Sequence, residues 1–397
     1  MSDVLRPTLI CRLAIASDIH AYQSKDKAHQ SNVNLSPEAV GSNPLDDLLT
    51  ELKSQRTRAD VFICAGDICN QADYGGLKAA WSRLNTISSE LHAEILVSTC
   101  GNHDLDSRYL ADEPDPDPKG GLLALDPPFP FSDEALTNKF WARNFAVLKL
   151  KNDLVVVTLN TSAYHGGQPD EMDYGRVSSR TINALASELV TTSSSAAHVL
   201  VCHHHPIALT GWRPGEPDVE FVKNGQDLMD ALISATGKSW LIIHGHRHKP
   251  RLLNGTSSGA MVPFVLGAGS LGARIPRVPN QFHIVSLFSS TAVQHSPLVG
   301  SIETWSWTDP TRWMPLKLDE GLPPNCGFGY RGQIEALAIE VEKEVGTSFA
   351  SWEEISNNCP SVNFLTPTDF AALTDALAKR GLSIVPSNDG RPKQVGR

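Results

Sequence analysis

The chain has 397 residues, of which 41% are hydrophobic and 20% charged, and its formal net charge is −10. This length and apolar content suffice for one large domain with an accessory region. The acidic balance argues against a nucleic-acid partner, because phosphate backbones are bound by clustered lysines and arginines. No apolar run reaches the roughly 18 residues of a membrane-spanning helix, so no membrane association is expected.

The beginning of the chain and its cysteines indicate a cytoplasmic protein. The apolar run over residues 9–16 is interrupted by Arg12 and leads into Asp18, which predicts a strand rather than a signal peptide. The 7 cysteines include no Cys-x-x-Cys pair, so a thiolate zinc site is not expected. Free thiols of this kind fit a reducing compartment.

Short apolar, β-branched runs alternate with helical patterns along the chain. Strands are predicted at 9–17, 60–65, 94–99, 154–159, 198–202 and 240–243, and helices at 44–56, 76–91, 133–146, 179–190 and 225–235. This alternation predicts a layered α/β fold with strands buried between helices. Later strands at 264–267, 282–288 and 302–307 are expected to form a second sheet.

Two further regions have a different composition. Residues 104–131 are rich in proline, aspartate and glycine, which predicts an irregular insert, either a lid that shapes the substrate site or a solvated acidic loop. Residues 316–397 form an accessory segment with helices at 333–345 and 369–380 and a disordered tail from about 386. This segment would recruit a protein partner or a second copy of the chain, or pack as a cap on the core.

Residues that commonly bind metals recur in five short blocks, each after an apolar run. The blocks are Asp18-Ile19-His20, Gly66-Asp67-Ile68-Cys69-Asn70, Gly101-Asn102-His103-Asp104, His203-His204-His205-Pro206 and His244-Gly245-His246-Arg247-His248. In an extended segment residues i and i+2 point to the same side, so Asp18 and His20 are expected to converge, as are His246 and His248. Together the blocks supply enough oxygen and nitrogen ligands for two metal ions.

This ordered set resembles the calcineurin-like metallophosphoesterase superfamily over roughly residues 9–275. The Gly-Asn-His-Asp, Gly-Asp-x-x-Asn and His-x-Pro patterns look most like its bacterial cyclic-nucleotide phosphodiesterase branch. The resemblance implies a four-layer α/β/β/α sandwich over residues 1–315, followed by the accessory segment.

The resemblance also implies the metal ligands. One ion would be held by Asp18, His20, Asp67 and His248, and the other by Asp67, Asn102, His204 and His246. His203 and His205 compete with His204, but the His-x-Pro spacing favours His204, and His203 is interpreted as a packed strand histidine. Ligands without sulfur suit Mn, Fe, Zn, Co or Ni.

The activity that the resemblance implies is hydrolysis of a small phosphodiester such as a cyclic nucleotide. A hydroxide between the two ions would attack phosphorus, and His103 would protonate the leaving oxygen. Asn70 and Asp104 stand where related protein phosphatases carry Asp and Glu, which argues against a protein substrate. The alternatives are a phosphomonoesterase for a nucleotide or sugar phosphate, then a nuclease, then a non-catalytic partner-binding scaffold.

Overall fold

The structure is a computed structural model that describes residues 7–28, 30–107, 117–167, 169–209, 217–255, 261–309 and 312–397. In chain order the strands are β1 (Thr8–Ala16), β2 (Val61–Cys64), β3 (Ile95–Ser98), β4 (Phe145–Lys149), β5 (Leu154–Leu159), β6 (Ala197–Val201), β7 (Trp240–His244), β8 (Arg251–Asn254), β9 (Phe264–Gly267), β10 (Asn280–Ser289), β11 (His295–Thr308), β12 (Arg312–Met314), β13 (Asn325–Tyr330), β14 (Phe349–Ser351), β15 (Ser383–Pro386) and β16 (Pro392–Gly396).

The helices are α1 (Pro44–Gln55), α2 (Tyr74–Glu90), α3 (Gly120–Leu123), α4 (Glu134–Arg143), α5 (Ser179–Leu189), α6 (Gly225–Thr236), α7 (Ile334–Val345), α8 (Trp352–Asn358) and α9 (Pro367–Ala378). Local chemistry explains their ends. The side chain of Asn43 accepts hydrogen bonds from the amides of Leu45 and Asp46 in the first turn of α1, and Arg56 ends that helix in a left-handed conformation. Asp73 and Ser178 cap α2 and α5 in the same way.

Two sheets stack face to face. The first has the order β12-β11-β10-β1-β2-β3, with β13 also paired to β11, and the second has the order β4-β5-β6-β7-β9-β8. Leu13 and Ile63 of the first sheet pack with Val199 and Leu241 of the second in a buried core. Helices α1 and α2 cover the outer face of the first sheet, and α5 and α6 cover that of the second. The protein is therefore the expected four-layer α/β/β/α sandwich.

Parallel pairing brings the five sequence blocks to one edge of the sandwich. In the first sheet β1, β2 and β3 are parallel neighbours, with Ala16 beside Cys64 and Cys64 beside Ser98. In the second sheet β6 and β7 are parallel neighbours. Each block follows the carboxyl end of one of these strands, which is where open α/β sheets carry their sites.

Several predicted elements need correction. The strands predicted at 282–288 and 302–307 do not belong to the second sheet, because β10 pairs antiparallel with β1 and β11 pairs with β10. The helix predicted at 133–146 stops at Arg143, since Asn144 is left-handed and the apolar residues after it form β4. Local sequence patterns do not encode which distant strand a strand will pair with.

The insert at 104–131 is not wholly irregular, because it contains α3. Neither the lid nor the solvated-loop interpretation fits its last part, where Phe129 and Phe131 are buried and Trp81 donates a 2.7 Å hydrogen bond to the carbonyl of Pro127. Residues 108–116 of the predicted lid lie outside the described residues.

The C-terminal segment has its own core. Leu337, Val341, Leu373 and Leu377 pack together with Val395. The tail predicted to be disordered from about 386 is ordered instead, because β16 is the central strand between β14 and β15 and Val395 is fully buried. A domain boundary at 315 remains a prediction, and β13, which follows it, pairs with the first sheet.

Among the described residues, none of the helices combines the length and the apolar character needed to cross a bilayer.

Candidate metal centre

The first group of metal-binding residues is Asp18, His20, Asp67 and His248, whose ligand atoms lie within 4.8 Å of one another. These side chains do not converge through the alternation of an extended segment. Asp18, His20, Asp67, His246 and His248 all have positive φ angles, between 50° and 72°. Such conformations cost a non-glycine residue about 1 kcal/mol or more, and they concentrate at functional sites. Asp18 and His20 thus converge as predicted but not through an extended chain, whereas His246 and His248 lie in different groups.

Histidine nitrogens and carboxylate oxygens lie close together inside the first group. His20 Nε2 lies 3.0 Å from His248 Nε2, and His248 Nε2 lies 3.2 Å from Asp18 Oδ1. Burial disfavours the charged form of Asp18, but the adjacent histidines, His248 above all, outweigh it and hold the pKa of its carboxyl group well below its usual range. Burial likewise opposes ionisation of Asp67, while His203 and His103 lower its pKa. Both carboxylates are therefore ionised and ready to accept a cation.

The second group is His203, His204 and His246, which also gather within 4.8 Å. Asn102 joins them, since its Oδ1 lies 3.2 Å from His203 Nε2 and 3.1 Å from His246 Nδ1. Asp67 Oδ2 is 3.3 Å from His203 Nε2 and 3.7 Å from His20 Nε2. Asp67 thus lies between the two groups, where a shared carboxylate would have to stand.

His203 is not the packing residue that the His-x-Pro spacing suggests. Its Nδ1–H donates a 2.8 Å hydrogen bond to the carbonyl of Ala65, which leaves Nε2 facing Asp67 and Asn102 as the nitrogen that could bind a metal. Burial lowers the pKa of its imidazole, but Asp67 outweighs burial and raises it to about 9. His204 remains in the group, with Nδ1 2.9 Å from Thr161 Oγ1. His205 turns away and contacts Asp218 at 2.7 Å.

These residues fit a pair of divalent cations. His204 Nε2 is buried without a hydrogen-bond partner in the described part of the chain, and the close His20–His248 nitrogen pair requires a proton or a cation between its atoms. Burial lowers the pKa of His246 to about 4, so its imidazole is neutral and able to bind a metal. Imidazole, carboxylate and amide donors without sulfur are the set expected for Mn, Fe, Zn, Co or Ni.

His103 stands at the rim of both groups. Its ring is half-buried and meets the His20 ring edge-on with centroids 4.8 Å apart. Its backbone N–H donates to Asp67 Oδ1 at 2.8 Å, and its Nδ1 lies 3.1 Å from Asn70 Oδ1. Asp104 is a loop-fixing residue, as its carboxylate accepts from the amides of Gly101 and Cys69.

The metal-ligand patterns miss an acidic pair on another segment. Glu220 Oε2 lies 3.3 Å from His246 Nε2 but outside hydrogen-bond geometry, and Arg247 holds that same carboxylate at 2.5 Å. A second nitrogen of Arg247 contacts Asp218, also at 2.5 Å. The only sequence signal for these acidic residues is their place a short distance after the His203–His205 block.

The fold and the paired groups define an α/β/β/α sandwich whose Asp, His and Asn side chains could hold metal ions. A family model described as calcineurin-like phosphoesterase matches residues 11–250, and the chain belongs to this family. Residues 11–250 thus form a domain of the metallophosphoesterase type. A second family model, described as wHTH-Calcineurin_assc, matches residues 326–379.

Comparison with solved structures gives a purple acid phosphatase, PPD1, from seeds of yellow lupin (Lupinus luteus). It is 13% identical, with a TM-score of 0.48, and the match covers 82% of this chain and 54% of the lupin chain. This chain thus matches about half the length of that enzyme. No curated protein matches the chain.

Proposed function

We propose that the protein is a two-metal phosphodiesterase that cleaves a small phosphodiester of the cyclic-nucleotide kind. The observation that carries this proposal is the pair of residue groups that share Asp67, with His103 at their common rim. Two divalent ions bound there would polarise a phosphoryl oxygen and lower the pKa of a water molecule that serves as nucleophile.

The chain's own residues supply the remaining chemistry. Asn70 Oδ1 lies 3.1 Å from His103 Nδ1 and helps to orient the ring, and the protonated imidazole of His103 is the proposed proton donor to the leaving oxygen. Asp67 helps to hold His103 in place, since its Oδ1 accepts a hydrogen bond from the backbone amide of His103. Asn70 is a neutral amide at the position where related protein phosphatases carry an aspartate, which favours a small substrate over a phosphoprotein.

Two cation–aromatic pairs adjoin His204 and favour an anionic substrate with a flat ring. Lys223 lies over Tyr174 at 3.5 Å, and Arg176 lies over Tyr164 at 4.2 Å while it is also paired with Glu171. These segments are close to the centre, because a β-carbon built on Gly175 would stand 2.5 Å from His204 Cβ. Cations over aromatic faces can bind phosphate, and the rings can stack on a base.

The test compares bis-p-nitrophenyl phosphate, a diester, with p-nitrophenyl phosphate, a monoester. Protein stripped of metal and reloaded with Mn(II) is expected to prefer the diester. His103→Ala should lower kcat by about 10²–10⁴-fold while it keeps its bound metal, because only a proton donor is lost. His92→Ala, at an exposed histidine, is the matched control and should be unchanged.

Other outcomes would contradict the proposal in distinct ways. Preference for the monoester would indicate a phosphomonoesterase. An unchanged kcat in His103→Ala would remove that residue from the reaction. Two bound metals without turnover of either substrate would favour the binding-scaffold alternative.

A further inference from the structure

A cavity of about 330 Å³ opens beside the first sheet and shares no lining residue with the metal centre. Its lining includes four arginines, Arg12 on β1, Arg56 and Arg58 after α1, and Arg391 before β16, but only two carboxylates, Glu51 and Glu303. The C-terminal segment thus contributes to a cavity built mostly by the catalytic sandwich. A cationic cavity of this kind is unexpected in a chain with a formal net charge of −10.

The arginines are incompletely neutralised. Arg56 and Arg58 make neither an ion pair nor a side-chain hydrogen bond to any described residue. Arg12 Nε is buried and has no hydrogen-bond partner among the described residues. Its Nη2 is 3.7 Å from Glu303, beyond hydrogen-bond distance. Arg391 is held in place by Asp389 through a 2.8 Å contact. The cavity therefore presents guanidinium groups with unused donors.

One side of the cavity is formed by well-packed aromatic residues. Trp305 and Trp313 line it and are largely buried, and Trp313 is fixed by a 2.7 Å hydrogen bond from its Nε1 to the carbonyl of Pro44. The carboxyl end of α1 is nearby and carries a partial charge of about −0.5. Asp389 neutralises Arg391, so that partial charge and the two lining carboxylates act against the three other guanidinium groups, which keep a small net positive charge.

We propose that this cavity binds a small polyanion with two or more phosphate or carboxylate groups. Guanidinium groups present paired N–H donors whose geometry matches two oxygens of either group. The volume lies at the lower end of the range of about 300–1,000 Å³ that is typical of small-molecule sites. Because Arg391 belongs to the C-terminal segment, the bound anion joins this segment to the sandwich.

The proposal is tested by calorimetric titration of the metal-stripped 397-residue chain at low salt. Inorganic pyrophosphate and citrate are the two probes, one for phosphate and one for carboxylate chemistry. Saturable binding at one site per chain is expected for at least one probe. Arg56→Ala and Arg58→Ala, made separately, should each raise the Kd at least tenfold. Lys53→Ala is the control, since Lys53 is an exposed cation on α1 that does not line the cavity.

Each outcome is decisive. Binding of pyrophosphate alone identifies a phosphate ligand, and binding of citrate alone identifies a carboxylate ligand. Saturable binding of neither probe overturns the proposal. So does binding that Lys53→Ala weakens as much as the arginine variants, because the attraction would then be a general surface effect. Thermal melts of each variant verify the fold, and these exposed arginines are expected to leave it unchanged.

Discussion

Gly245→Ala should weaken metal binding through a specific collision. A β-carbon at Gly245 would stand 2.1 Å from Ser17 Oγ and 2.3 Å from Asp18 Oδ2, whereas real β-carbons essentially never approach closer than 3.0 Å. The Asp18 carboxylate would therefore have to move by more than half an ångström. Metal–ligand distances tolerate only about ±0.2 Å, so the first group of ligands would lose its geometry.

The expected result is a loss of roughly 10–100-fold in Mn(II) affinity, the size typical of a disturbed ligand. It is measured by titrating Mn(II) into metal-stripped protein with calorimetry. Gly120→Ala is the matched control, because a β-carbon there meets nothing closer than 3.6 Å. If Gly245→Ala keeps its fold and binds Mn(II) as tightly as the parent protein, Asp18 is not a ligand and the proposed first group is wrong.

Three other substitutions test the surroundings of the metal ligands, the pH dependence of stability and the C-terminal core. Glu220→Gln should lower metal affinity by up to tenfold and change kcat less, because the carboxylate only orients His246; equal affinities would refute that role. Burial lowers the pKa of His283 from 6.5 to about 4, so the free energy of unfolding falls as pH drops between those values. Between pH 7 and 5, His283→Gln should therefore lose about 2 kcal/mol less of its unfolding free energy than the parent protein, as measured by urea unfolding. Leu377→Ala, in the fully buried C-terminal core, should cost about 2–5 kcal/mol in thermal unfolding without altering metal content.

The sequence predicts elements best where a strand is buried on both faces. Strand β5 occupies the residues predicted for it, because its apolar, β-branched run allows no other placement. Strands β10 and β11 are also detectable, but their sheet is not, since their pairing with β1 joins residues far apart in sequence. The tail forms β16 because Val395 fills the C-terminal core, a contact that its proline- and glycine-rich surroundings conceal.

In the candidate site, too, the sequence identifies residues but not their long-range contacts. Asp18, Asp67 and His248 are recognisable from their short motifs, and the structure gathers them. The choice among consecutive histidines depends on ring direction, which is set by backbone partners such as the Ala65 carbonyl for His203. Glu220 lies on a segment without a motif and reaches His246 only through the fold.

The most direct test of the two-metal centre is a crystal structure of the Mn(II)-loaded protein with anomalous diffraction data. A two-metal centre should give two anomalous peaks roughly 3.5–4 Å apart. One should lie among Asp18, His20, Asp67 and His248, and the other among Asp67, Asn102, His246 and one or both of His203 and His204. A single peak, or two peaks without Asp67 between them, would contradict it.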